Sequence, residues 1–162
     1  MKLNNIKIFN YRCFKEAEVD FDDHITLVVG KNGAGKTAIL DAVAVSVSTF
    51  LLGIDSGVSR SILKDDARYE FHDLNGTIDP QHQFPVSIES TGDCLNQQNV
   101  TWIRSLNSES GKTTIKDAGE LTGLAKKAQN QIMTGDKSLV LPLISYYGTG
   151  RLYAQKKEKR NL

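Results

Sequence analysis

Ile25-Thr26-Leu27-Val28-Val29-Gly30-Lys31-Asn32-Gly33-Ala34-Gly35-Lys36-Thr37 is the stretch around which the rest of the chain can be organised. Ile25–Val29 is a short β-branched run that predicts a buried strand. The next residues fit the spacing G-x-x-x-x-G-K-[ST] at every fixed position. Glycines at such spacing let backbone N–H groups turn inward at φ values that side chains disfavour. Successive inward N–H groups form a concave anion site. A helix starting near Gly35 would point the positive end of its dipole at the same place. The spacing thus predicts a polyphosphate cradle. Lys36 would reach the β- and γ-phosphates, and the Thr37 hydroxyl would ligate Mg²⁺. A chance match in a chain of this length is on the order of one in a few hundred by average residue usage. The predicted strand–loop–helix context makes chance rarer still. The expected binding residues are Gly30, Lys31, Asn32, Gly33, Ala34, Gly35, Lys36, Thr37 and Ala38, with Thr37 also the metal ligand.

Downstream of the loop, Gly35–Leu52 reads as a helix that is apolar nearly all round, Asp41 being its one charge after Lys36. Such a helix belongs inside a layered domain. Upstream, Lys2–Phe9 and Ala17–Phe21 alternate and read as strands, with a turn at Asp22-Asp23. Farther on, Asn75–Phe84 carries Gly76 and Pro80 among polar residues and reads as loop. Val86–Glu89 and Val100–Leu106 are strands expected to pair as a meander or hairpin within residues 75–110. Ala118–Met133 places Leu121, Leu124, Ala125, Ala128 and Ile132 at helical spacing, and Gly135 can end that helix. Leu139–Tyr147 reads as a second buried strand, moved toward a sheet edge by Pro142. Residues 154–162 read as the start of a charged helix. The fold class expected is α/β.

The 162 residues suffice for one domain with its own core. Twenty Lys and Arg against 19 Asp and Glu leave a net charge of +1, so overall charge gives no case for a nucleic-acid partner. Cys13 and Cys94 form no CxxC and read as reduced thiols. His24, His72 and His82 make no metal cluster. No leader is legible, and Ala38–Leu52 is too short and too interrupted to span a bilayer, so the expected location is cytoplasmic with no membrane partner. Gly111-Lys112-Thr113 repeats the end of the loop motif, but the required upstream glycine would fall at Leu106, so it reads as a turn. Gly148-Thr149-Gly150-Arg151 reads as a strand-exit turn.

Ile6-Lys7-Ile8-Phe9-Asn10-Tyr11-Arg12-Cys13-Phe14, then Ile25–Thr37 and Ile39-Leu40-Asp41-Ala42, resemble the head of the RecF/SMC-type, ABC-like ATPases, a group that includes the OLD nucleases. Pro142–Arg151, with its Tyr146-Tyr147-Gly148 core, is similar to a stretch in bacterial AAA-type ATP-binding proteins that include ATPases of phage-defence systems such as Septu and certain retrons. The resemblance implies a P-loop NTPase N-terminal lobe, with a mixed sheet, a small antiparallel β-layer and the P-loop helix; it also implies ATP as the nucleotide, and no N-K-x-D guanine motif argues against it. It further implies that Arg12 approaches the phosphates, while a surface salt bridge is the competing reading for that residue. Asp41 matches an acid often found in this helix, with a structural role expected. By resemblance, two heads would meet as a homodimer or head-to-head assembly around ATP, with a nucleic-acid or nuclease partner.

Hydrolysis needs a second carboxylate near Mg²⁺ and a group to orient water. The sequence shows no apolar strand ending in acid after the helix, no signature loop beyond a faint Glu120-Leu121-Thr122-Gly123, and no Q-loop better than Gln155. The expectation is an N-terminal lobe of a partial gene product that binds ATP, with hydrolysis only in a longer parent. The alternative is an isolated nucleotide-binding module, or a remnant, without turnover.

Overall fold

A computed structural model describes residues 1–55, 57–74, 77–136 and 138–148. The expected helix at 154–162, Gln155, and residues 149–151 of the strand-exit turn lie outside the described residues.

The core is an antiparallel sheet of four strands, β1 (Lys2–Tyr11), β2 (Phe14–Asp20), β5 (Val86–Cys94) and β6 (Gln97–Leu106), in the order β2-β1-β5-β6. Alternation explains which face is buried. In β5 every second residue from Val86 to Cys94 is buried, and its neighbours are half-buried. Ile8 of β1 lies opposite Ile88, which lies opposite Arg104 of β6, so one row crosses three strands on the inner face. The hairpin expected between 86–89 and 100–106 is present and longer at both strands. Arg104 is buried, with hydrogen bonds to the Thr114 carbonyl (2.8 Å) and Thr49 Oγ1 (3.1 Å).

Helix α1 (Lys36–Ser48) lies on this face and continues into a 3₁₀ turn, Thr49–Gly53. Small residues allow close approach: Ala38, Ala42, Ala44, Ser46 and Ser48 are all buried. Ser46 Oγ donates to Ser90 Oγ (2.7 Å), and Trp102 Nε1 donates to the Ser46 carbonyl (3.1 Å), so buried polar atoms are paired. By length and composition alone Lys36–Gly53 could cross a bilayer, but half of it is buried inside the fold, as a core helix should be. Helix α2 (Gly119–Met133) packs on the 3₁₀ turn and β6 through Leu121 and Ala125. A Cβ on Gly53 would stand 2.2 Å from the Thr122 carbonyl oxygen, so this contact requires glycine.

Three expectations are corrected. Residues 25–29 belong to no ladder, and Ile25, Leu27 and Val29 are 82%, 81% and 75% exposed. Residues 139–147 likewise belong to no ladder, with Val140 81% and Leu143 94% exposed. A buried strand requires neighbours on both sides, and a parallel neighbour must come from far along a chain. No described residue supplies one, so every ladder in the described residues is antiparallel. Third, the segment read as loop from residue 75 contains half of a hairpin, β3 (Tyr69–Leu74) with β4 (Thr77–His82). Pro80 is tolerated because a two-stranded sheet consists of edges only. Gly111 N–H donates to the Ser108 carbonyl (3.0 Å), which makes that region the expected turn.

Candidate phosphate-binding site

Gly35 is the N-cap of α1 and sits at φ +86°, and Gly33 sits at +82°. These are left-handed values at which a side chain is strained. Space decides Gly35 as well: a Cβ there would lie 2.4 Å from Phe14 Cζ and 2.7 Å from Cys13 Sγ. The β1–β2 reversal is therefore packed directly beneath the loop. No side chain caps α1, and its first turn holds no acidic residue. The amides that a helix N-terminus leaves without internal partners thus face no competing carboxylate of their own element.

A cleft of about 470 Å³ opens at this point, lined by Arg12, Cys13 and residues 32–38. Asn32, Gly33, Ala34, Gly35, Lys36, Thr37 and Ala38 all line it. Gly30 and Lys31 do not line it; their carbonyls accept from Lys36 Nζ at 2.7 Å each. These carbonyls are the only hydrogen-bond or ion-pair partners of the Lys36 ammonium among the described residues. Held by neutral oxygens over an uncapped helix start, this charge is placed for an anion rather than neutralised by a carboxylate. Volume, uncapped amides and ammonium together fit a nucleoside polyphosphate. Thr37 is exposed on the same cleft. No group of His, Cys, Asp and Glu among the described residues could hold a metal by itself. A Mg²⁺ ion at Thr37 would need phosphate oxygens and water to complete its shell.

Arg12 merges the two roles weighed for it. It lines the cleft, and it is also ion-paired: Nε to Asp66 Oδ1 at 2.8 Å, and NH1 to Asp41 Oδ2. Its backbone is left-handed (φ +52°) and is fixed there by a 2.6 Å hydrogen bond from its N–H to the Asp66 carbonyl. Burial pulls the Arg12 guanidinium's pKa down, but the bonds to Asp66 and Asp41 outweigh it and hold the group above its ordinary value. Burial, reinforced by the Asp66 charge, pushes the neighbouring Tyr11 phenol up. Asp41 is buried and also receives Arg60 NH2 (3.3 Å) and the Tyr146 hydroxyl. Asp66, Arg60 and Tyr146 were not legible as site residues, because no local pattern joins them to the loop.

Comparison with known proteins bears on the family and the fold. A family model described as an AAA domain matches residues 5–162. The DNA replication and repair protein RecF of Flavobacterium johnsoniae is 56% identical over 43 residues, which are 26% of this chain and 12% of RecF. The Rad50 DNA double-strand break repair ATPase of Pyrococcus abyssi is 40% identical over 47 residues, 29% of this chain and 5% of that protein. The retron Vc95 probable ATPase of Vibrio cholerae is 22% identical along 98% of this chain, which spans 30% of that relative. The chain thus spans under a third of the length of each of these relatives. A solved structure from work on ATP-driven dimerization and DNA-stimulated activation of SMC ATPases superposes with a TM-score of 0.50 at 17% identity, over 77% of this chain and 80% of that one. At that identity the likeness speaks for the fold. The chain belongs to the AAA domain family, and it is similar over part of their length to RecF-type and SMC-type ATPases.

Proposed function

We propose that this lobe binds ATP with Mg²⁺ through residues 30–38 and, by itself, holds the nucleotide without turning it over. The observation that carries the reading is the Lys36 ammonium, partnered only by loop carbonyls, beside an uncapped helix N-terminus at the mouth of a cleft. Thr37 is the Mg²⁺ ligand and Arg12 the second cation facing the phosphates. The nearby carboxylates Asp41 and Asp66 are engaged by Arg12 and are not available to a metal or a water. Turnover is therefore expected to require groups from further polypeptide, in a head-to-head assembly of two heads. The SMC ATPase likeness supports that assembly, and the RecF and Rad50 relatives support a nucleic-acid partner. The retron ATPase likeness favours a place in phage defence, and the proposed location is cytoplasmic.

The test is calorimetric titration of Mg-ATP into the 162-residue chain, with phosphate release measured alongside. Lys36→Ala should weaken binding by about 2–4 kcal/mol, roughly thirty- to a thousandfold. Binding that is indifferent to Lys36 would sink the site. Lys36-dependent phosphate release would overturn the claim that turnover needs groups from outside.

A further inference from the structure

Asp41 lies one helical turn beyond Thr37 and carries one charge shared among three donors. Its Oδ2 accepts from Arg12 NH1 and its Oδ1 accepts from the Tyr146 hydroxyl, while Arg60 NH2 forms an ion pair with Oδ1 at 3.3 Å. Arg60 also covers the Tyr146 ring, 4.7 Å from its centroid. The hydrogen bond to Asp41 raises the Tyr146 pKa, as a proton held by a carboxylate must. Arg12 faces the phosphate cleft and makes no hydrogen bond through NH2 among the described residues. Tyr146 belongs to residues 139–148, which pair with no strand. A continuous line of contacts therefore runs from a segment outside any β-ladder, through Tyr146, Asp41 and Arg12, to the cleft.

Donors that share one carboxylate compete. When one withdraws, the remaining bonds to that charge strengthen, most of all where little water can compensate. We propose that Asp41 is a positioning residue that couples occupancy of the phosphate cleft to docking of residues 139–148. The proposal rests on the nucleotide-binding reading. A polyphosphate draws the Arg12 charge toward itself and loosens its bond to Asp41. The carboxylate then binds Tyr146 and Arg60 more firmly, and the segment is fixed against α1. Linkage requires the reverse effect of equal size: a docked Tyr146 leaves Arg12 freer for phosphate and raises nucleotide affinity.

The experiment is a double-mutant cycle on the 162-residue chain, with Mg-ATP affinity measured for the unmodified protein, Tyr146→Phe, Arg12→Ala and the double variant. Phenylalanine keeps the ring under Arg60 and removes only the hydroxyl, and no buried residue is replaced. Tyr146→Phe should weaken binding about five- to tenfold where Arg12 is present and not at all where it is absent. In parallel, saturating Mg-ATP should slow amide exchange across residues 139–148, and Tyr146→Phe should abolish that slowing. An unchanged affinity in Tyr146→Phe, an equal loss in both backgrounds, or exchange that ignores Mg-ATP would each overturn the coupling while leaving the nucleotide site standing. A chain without Lys36-dependent binding would overturn both.

Discussion

The β2-β1-β5-β6 sheet and the pair of segments outside any ladder at 25–29 and 139–148 make a sharp contrast within one small fold. Both regions are rich in β-branched and apolar residues. In the sheet, hairpins join β1 to β2 and β5 to β6, β1 pairs with β5 across a long stretch of intervening chain, and the inner face is closed by α1. The two segments have the residues of buried strands and the exposure of loops. The difference is one of partners, not of propensity: β-propensity expresses fit to a half-buried pleated surface, and without that surface it yields no ladder. The glycine-rich loop stands at the junction, entered from a segment outside any ladder and left through the better buried of the two α-helices among the described residues.

The contrast can be broken by thermal unfolding. Trp102→Ala removes a fully buried side chain and its hydrogen bond to Ser46, and should cost about 3–5 kcal/mol. Gly35→Ala, at the junction, forces a strained φ and a collision with Phe14 and Cys13. It should cost about 1–3 kcal/mol and weaken Mg-ATP binding as well. If Gly35→Ala left both stability and affinity intact, the loop would not be held from beneath by the β1–β2 reversal.

Smaller effects sharpen the comparison. The Tyr11 phenol has its pKa raised by burial, so the unfolded chain releases that proton first, near pH 10. Its contribution to stability is full below about pH 10 and is lost as pH rises through the higher folded value. Unfolding followed from pH 8 to 11 should show a declining midpoint, with a shallower decline in Tyr11→Phe; an equal slope in the variant would contradict the burial argument. Leu27→Ser should change stability by no more than about 0.5 kcal/mol, since the residue already faces solvent. A loss comparable to that of Trp102→Ala would mean that residues 25–29 are packed after all.

Much of the site could be read directly from the chain because its physics is local. Positive φ at Gly33 and Gly35, a helix beginning at Lys36, and a lysine within reach of its own loop all follow from spacing over a few residues. Helix α2 was legible for the same reason, from its apolar period. The β3–β4 hairpin was not. Gly76, Pro80 and polar residues mask a pairing whose rows, such as Phe71 opposite Pro80, carry little apolar alternation.

Sequence by itself determined that backbone amides and a lysine ammonium gather at one loop ahead of α1, since short-range spacing of glycine and lysine is sufficient for that. Only the tertiary structure decided what surrounds the cradle. Arg12, Asp41, Asp66, Arg60 and Tyr146 meet across separations of up to 105 residues, and ion pairs of that kind follow from where the backbone is carried rather than from any periodicity. Tertiary structure also decided that the run leading into the loop stays unpaired, because a ladder is made by two strands and a sequence pattern describes one.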